Sequence, residues 1–116
     1  MTEEIKELAL LAAEIADDKK AQDIQVLKVK ELTIIADYFV ICSGKSEIQT
    51  KAIARGIENE LAKNDIKPQK VAGADNGRWI LIDYADIIVH VFHQQERDYY
   101  ELERLWADAE KILKES

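Results

Sequence analysis

Asp37, Asp83, Asp86, His90 and His93 stand inside or beside apolar, strand-like runs. Residues of these types build divalent-metal and general acid–base sites when they converge. Their spacing argues against convergence. Side chains alternate along a regular strand, so His90 and His93, an odd number of residues apart, point to opposite faces and do not share a metal ion. Asp83 and Asp86 flank an Asp-Tyr-Ala-Asp turn, where aspartate is accounted for by turn chemistry. They do not form the side-by-side carboxylate pair that metal-assisted nucleotidyl transfer requires. No Ser-His-Asp series and no Glu-containing metal motif appears, so no catalytic residue, metal or cofactor is assigned.

Gly44-Lys45-Ser46 looks like the end of a phosphate-binding loop, but the first glycine of that motif would fall at Phe39, inside a strand. A strand, a short turn and a helix N-terminus still attract an anion. An enzymatic alternative is therefore a minimal nucleotide-binding or nucleotidyltransferase-like domain using Ser43 to Ser46 with Asp83 and Asp86. Cys42 lies in the apolar run Val40-Ile41-Cys42 with no histidine or acid near it in sequence, and reads as a small packing residue.

Aromatic and arginine residues point elsewhere. Trp79, Arg97, Tyr99 and Tyr100 are of the types enriched at the energetic centres of protein interfaces. Trp79 begins a strand beside a glycine turn, where one ring face stays accessible. Trp106, spaced with Leu102 and Leu105, is expected in the core.

The elements that must position these residues follow from periodicity. Ile5, Leu8, Ala9, Ala12, Ile15 and Ala16 recur at helical spacing, with Thr2 as an N-cap and Lys19-Lys20 at the favoured C-terminal end. Ile24 to Val29 reads as a strand, and Leu32 to Ile35 as a bent connection. Asp37 to Cys42 is nearly continuous in apolar character, as expected of a strand buried on both faces in the middle of a sheet.

Ser46 and Gln49 make a capping box that opens a helix running to about Asn64. Its buried face is Ile53, Ile57 and Leu61, with Ala52, Ala54 and Gly56 permitting close approach to the sheet. Pro68 stops it, and a loop containing Gly73 and Asn76-Gly77 delivers the chain into a hairpin from Arg78 to His93. A two-residue turn at Tyr84-Ala85 would set Trp79 across from His90 and Leu81 across from Ile88. Tyr99, Leu102, Leu105, Trp106, Ala109, Ile112 and Leu113 predict a third amphipathic helix. The element order implies an α/β fold, a mixed β-sheet with helices packed on it, in one domain over residues 1–116.

The chain has 116 residues, 47% apolar and 34% charged, which suits one globular domain rather than a disordered tail. Its net charge of −7 disfavours dominant nucleic-acid binding and favours a basic protein partner. Lys19-Lys20, Lys67 with Lys70, and Lys45 to Lys51 are its basic stretches. A single cysteine, an acidic N-terminus and the lack of a membrane-length apolar run suit a cytoplasmic protein with no membrane partner.

Three blocks in order, Asp37 to Ser46, Gly77 to Tyr84, and His90-Val91-Phe92 followed by Arg97 to Glu103, resemble the signature of the ribosomal silencing factor family, RsfS, also called Iojap. The resemblance covers most of the chain from Asp37 to Trp106. It implies a nucleotidyltransferase-like topology without that catalysis, usually as a homodimer. It further implies binding to the large ribosomal subunit through ribosomal protein fourteen, at the intersubunit face, and a block on joining with the small subunit. An alternative within the same resemblance is a large-subunit assembly adaptor that does not silence. Trp79, Leu81, Asp83, His90, Phe92, Arg97 and Tyr100 are the residues expected to carry partner binding. Two positions depart from the family pattern: Ala85 stands where relatives often have glycine, which bears on turn geometry, and Ala72 where an acid is common, which removes a charge near the expected ribosome-facing loop.

Overall fold

The computed structural model describes residues 2–114. Helix α1 (Thr2–Asp18) opens the chain and lays Ala9, Ala12, Ala13, Ile15 and Ala16 against the sheet. Four alanines on that face let the helix axis approach the strands closely. The capping role expected of Thr2 falls on side-chain detail outside the described residues. Strand β1 (Gln22–Lys28) runs antiparallel to β2 (Tyr38–Gly44), and the bend expected at Leu32 to Ile35 connects them.

Helix α2 (Glu47–Ala62) starts at Ser46, whose hydroxyl accepts the Gln49 N–H at 3.0 Å. Only that half of the capping box forms. The Gln49 side chain instead accepts from the Lys45 N–H and donates to the Lys20 carbonyl, tying the turn before α2 to the end of α1. Ile53, Ala54, Gly56, Ile57 and Leu61 are buried as expected, but Ala52 faces solvent. Part of the expected loop after Pro68 is a short edge strand, β3 (Lys70–Ala72), paired with β4 (Trp79–Asp83). Gly73 and Gly77 both take positive φ, and a Cβ on Gly73 would meet the Trp79 carbonyl oxygen.

Strands β4 and β5 (Ile87–His93) form the expected hairpin with a different register. Trp79 pairs with Phe92, Leu81 with His90 and Asp83 with Ile88. The Tyr84 N–H donates to the Ile87 carbonyl, so the two-residue loop is Ala85-Asp86, not Tyr84-Ala85. Asp83 causes the shift: its carboxylate accepts the Ala85 N–H at 2.7 Å and stabilises Ala85 in a left-handed conformation, φ 71°. Each residue's partner therefore changes by two positions, an even slip that leaves every side chain on its expected face.

The expected third helix is overturned. Helix α3 (Gln94–Tyr100) stops at Glu101, which is left-handed at φ 46°, and a single turn, α4 (Leu102–Leu105), follows. The chain then enters strand β6 (Glu110–Lys114), antiparallel to β1. Pairing satisfies the backbone of an edge that β1 would otherwise leave open, and that gain overrides the helical spacing of Ile112 and Leu113.

The sheet order is β3-β4-β5-β2-β1-β6. Among the described residues only β2 and β5 are parallel neighbours, so the sheet is mixed, and β2 lies in its middle with every residue buried. The α/β class and the helix-covered mixed sheet are as the sequence predicts. Helices α1 and α2 cover one face, over Ile24, Val26, Val40, Cys42, Ile80, Ile82, Val89 and Val91. The opposite face holds a smaller core of Leu27, Val29, Phe39, Ile41, Ile88, Phe92 and Leu102, with Trp79, Leu81 and Trp106 at its margin.

Candidate docking face

Alternation places Trp79, Leu81 and Asp83 of β4 on the face away from α1 and α2, beside His90 and Phe92 of β5. Helix α3 follows β5 directly and folds Tyr100 against Trp79, ring centroids 5.0 Å apart. Arg97, on the same helix, reaches over β2. All seven residues named from the sequence thus belong to one side of the molecule.

Their exposures divide them. Trp79, Leu81 and Asp83 are half-buried and Tyr100 is exposed, so these four can touch a partner. Phe92, His90 and Arg97 are 0%, 5% and 5% exposed, so they act from below the surface. Phe92 stacks under Trp79 with centroids 4.7 Å apart. His90 accepts the Trp79 indole N–H on Nδ1 at 3.1 Å and meets the edge of Phe39 at 4.9 Å. The even register slip makes this contact diagonal rather than directly cross-strand, still within reach of an indole. An Nδ1 that accepts carries no proton, so the neutral ring holds its proton on Nε2, which is buried without a partner among the described residues. Burial lowers the His90 pKa from 6.5 to about 4.

Arg97 fastens α3 and α4 to the sheet. Its Nε donates to Glu103 at 2.9 Å and its Nη1 to the Ser43 hydroxyl at 3.3 Å, while Ser43 donates to the Gln22 carbonyl. On the outer side of this cover, Arg78 donates to Glu96 at 2.6 Å and to Glu47 at 3.3 Å, linking α3, α2 and the start of β4. His93 caps α3 by accepting the Gln95 N–H on Nδ1.

The enzymatic alternative is not brought together. Ser43 and Gly44 lie at the end of β2 that pairs with His93, whereas Asp83 and Asp86 lie at the opposite end, where Asp37 bonds Asp86. About seven residues of strand separate them, roughly 20 Å at 3.3 Å per residue. No group of three or more His, Cys, Asp or Glu able to hold a metal occurs among the described residues. The Cys42 thiol is buried and pushed up to about 12 by desolvation, so it stays protonated.

Periodicity did not single out Ile34 and Ile35, and it set Leu105 on the apolar stripe of the expected third helix, yet the three are 104%, 62% and 76% exposed. Ile34 and Ile35 follow β1 and precede Ala36 of the smaller core, and Leu105 precedes Trp106 at its margin. For Ile34 and Ile35 the available signal was their position in the bent connection, whereas the helical spacing of Leu105 offered none.

This arrangement of strands and loops recurs in known proteins. The family model described as ribosomal silencing factor during starvation, RsfS, matches residues 2–116. The chain belongs to the RsfS family. The ribosomal silencing factor RsfS of Bacillus subtilis is 47% identical over 104 residues, covering 90% of this chain and 88% of that one. The RsfS of Halalkalibacterium halodurans is 44% identical, covering 92% of each chain. Among solved structures, a Chromobacterium violaceum protein superposes with a TM-score of 0.82 at 34% identity, covering 92% of this chain and 87% of that one. A Bacillus halodurans protein gives 0.76 at 41% identity, covering 90% and 94%. Chloroplast Iojap of Arabidopsis thaliana is 32% identical, with 90% of this chain matching 43% of that protein. This chain therefore carries its aromatic face on the fold of the RsfS family.

Proposed function

We propose that this protein silences translation by docking on the large ribosomal subunit, through ribosomal protein fourteen at the intersubunit face, and blocking joining with the small subunit by steric occlusion. The observation that carries this reading is the half-open aromatic face of a chain that belongs to the RsfS family. Trp79, Leu81, Asp83 and Tyr100 form the contact, while Phe92, His90 and Arg97 support it. The net charge of −7 complements a basic ribosomal protein and steers the encounter. The working form is a cytoplasmic homodimer, as the family resemblance implies. No helix among the described residues is long and apolar enough to cross a membrane.

Sedimentation of the purified protein with separated subunits, followed by a joining assay, tests this. Co-sedimentation with the large subunit alone and loss of joining are expected. Binding that leaves joining intact would convert the reading to an assembly adaptor, and no binding would overturn it.

A further inference from the structure

The contact between Trp79 and His90 does more than fill space. Trp79 rests on Phe92 and Tyr100, and neither ring contact by itself fixes rotation of the indole in its own plane. The hydrogen bond from Nε1 to His90 Nδ1 supplies that missing constraint. His90 is itself immobilised, 5% exposed and held between the Phe39 edge and the Phe92 ring. An acceptor rather than a donor must face the indole, and the unprotonated Nδ1 is one. Burial keeps the ring neutral at ordinary pH.

We propose that His90 is a positioning residue for docking: by accepting the indole N–H it sets Trp79 in the orientation a partner meets. This rests on the reading of Trp79 as the docking anchor. Locking the ring before binding removes the rotamer entropy that an unrestrained anchor loses on association. It also defines what the anchor offers. With its only donor taken internally, the indole meets a partner through ring carbons and the π surface, so an apolar or cationic side chain fits there and a hydrogen-bond acceptor does not.

Two variants test the proposal. His90→Leu removes the acceptor with little change in bulk, and His90→Asn keeps an acceptor near the position of Nδ1. A Trp106→Phe background leaves Trp79 as the one indole, so its N–H resonance is assigned directly. In that background the Trp79 N–H exchanges slowly with solvent, His90→Leu speeds exchange about tenfold or more, and His90→Asn slows it again. Association with the large subunit weakens about fivefold in His90→Leu, the scale of one lost hydrogen bond, and recovers in His90→Asn. Fast indole exchange with His90 in place overturns the proposal, and this measurement stands even where His90→Leu fails to fold. Association of the unsubstituted protein that His90→Leu leaves unchanged overturns the proposal alone. No association of the unsubstituted protein removes the docking reading and this proposal with it.

Discussion

The two faces of the sheet solve different problems. The face under α1 and α2 is almost wholly aliphatic and closed by two long helices. The other is aromatic and polar, covered in part by two short helices, and holds buried polar atoms without partners on His90, Arg97 and Glu103, where the helix-covered core has the Tyr84 hydroxyl. An unpaired buried polar atom lowers stability, so a face optimised only for folding would keep them few. The difference teaches that stability here is concentrated on the helix-covered side, which leaves the aromatic side free to be shaped for recognition.

The sharpest test of that division is Ile53→Ala on α2. Ile53 is fully buried, and its truncation is expected to cost about 2–5 kcal/mol in urea unfolding. The molecules that stay folded should bind the large subunit normally, and a binding defect in them would break the division.

Acid titration probes the other face. The folded-state pKa of His90 lies near 4, below its unfolded value of 6.5, so the unfolded chain binds the proton first. The stability from neutral His90 is fully present above pH 6.5 and is lost as pH falls toward 4, in total about 3 kcal/mol at 1.36 kcal/mol per unit. Carboxylates as a class take up protons over the same range. The measurement is therefore the difference between the native protein and His90→Leu, whose stability should lack this part of the slope. Parallel pH profiles would show that His90 is not held neutral.

Trp79→Ala follows in size. Loss of a central aromatic anchor commonly costs more than about 2 kcal/mol of binding, so co-sedimentation with the large subunit should disappear while the circular dichroism spectrum stays native. Persistent co-sedimentation would move the anchor to another residue of this face.

The smallest effect is expected at the hairpin turn. Ala85 at φ 71° occupies a region where glycine has no Cβ penalty. Ala85→Gly should raise stability by about 1 kcal/mol, read as a few degrees in melting temperature. It should leave ribosome association unchanged, because glycine keeps the backbone N–H that the Asp83 carboxylate accepts.

Much of this was legible in the sequence, for reasons particular residues make plain. The continuous apolar run Tyr38 to Cys42 named the centre of the sheet, and strand alternation sorted Trp79, Leu81 and Asp83 from Ile80 and Ile82. The hairpin register was hidden because no glycine marks the left-handed position. The face assignment survived only because the slip was even. Strand β6 was hidden because Leu102, Leu105, Trp106, Ala109, Ile112 and Leu113 satisfy helical spacing, while the break at Glu101 and the demand of β1 for a partner are tertiary facts. Arg97 was singled out from sequence as a polar contact or a support, but its partner was not: nothing local connects it to Ser43, fifty-four positions earlier, to which it donates a hydrogen bond.

Pairing of β6 with β1 joins Lys28 to Glu110, across most of the chain. During synthesis the first strand keeps one edge open while every other strand is made: its bonds to β2 form early, but the donors and acceptors on its outer edge are satisfied only when residues 110–114 clear the exit tunnel. Completion of the sheet is thus deferred until its last strand is made, and until then the nascent chain carries a strand edge open to mispairing.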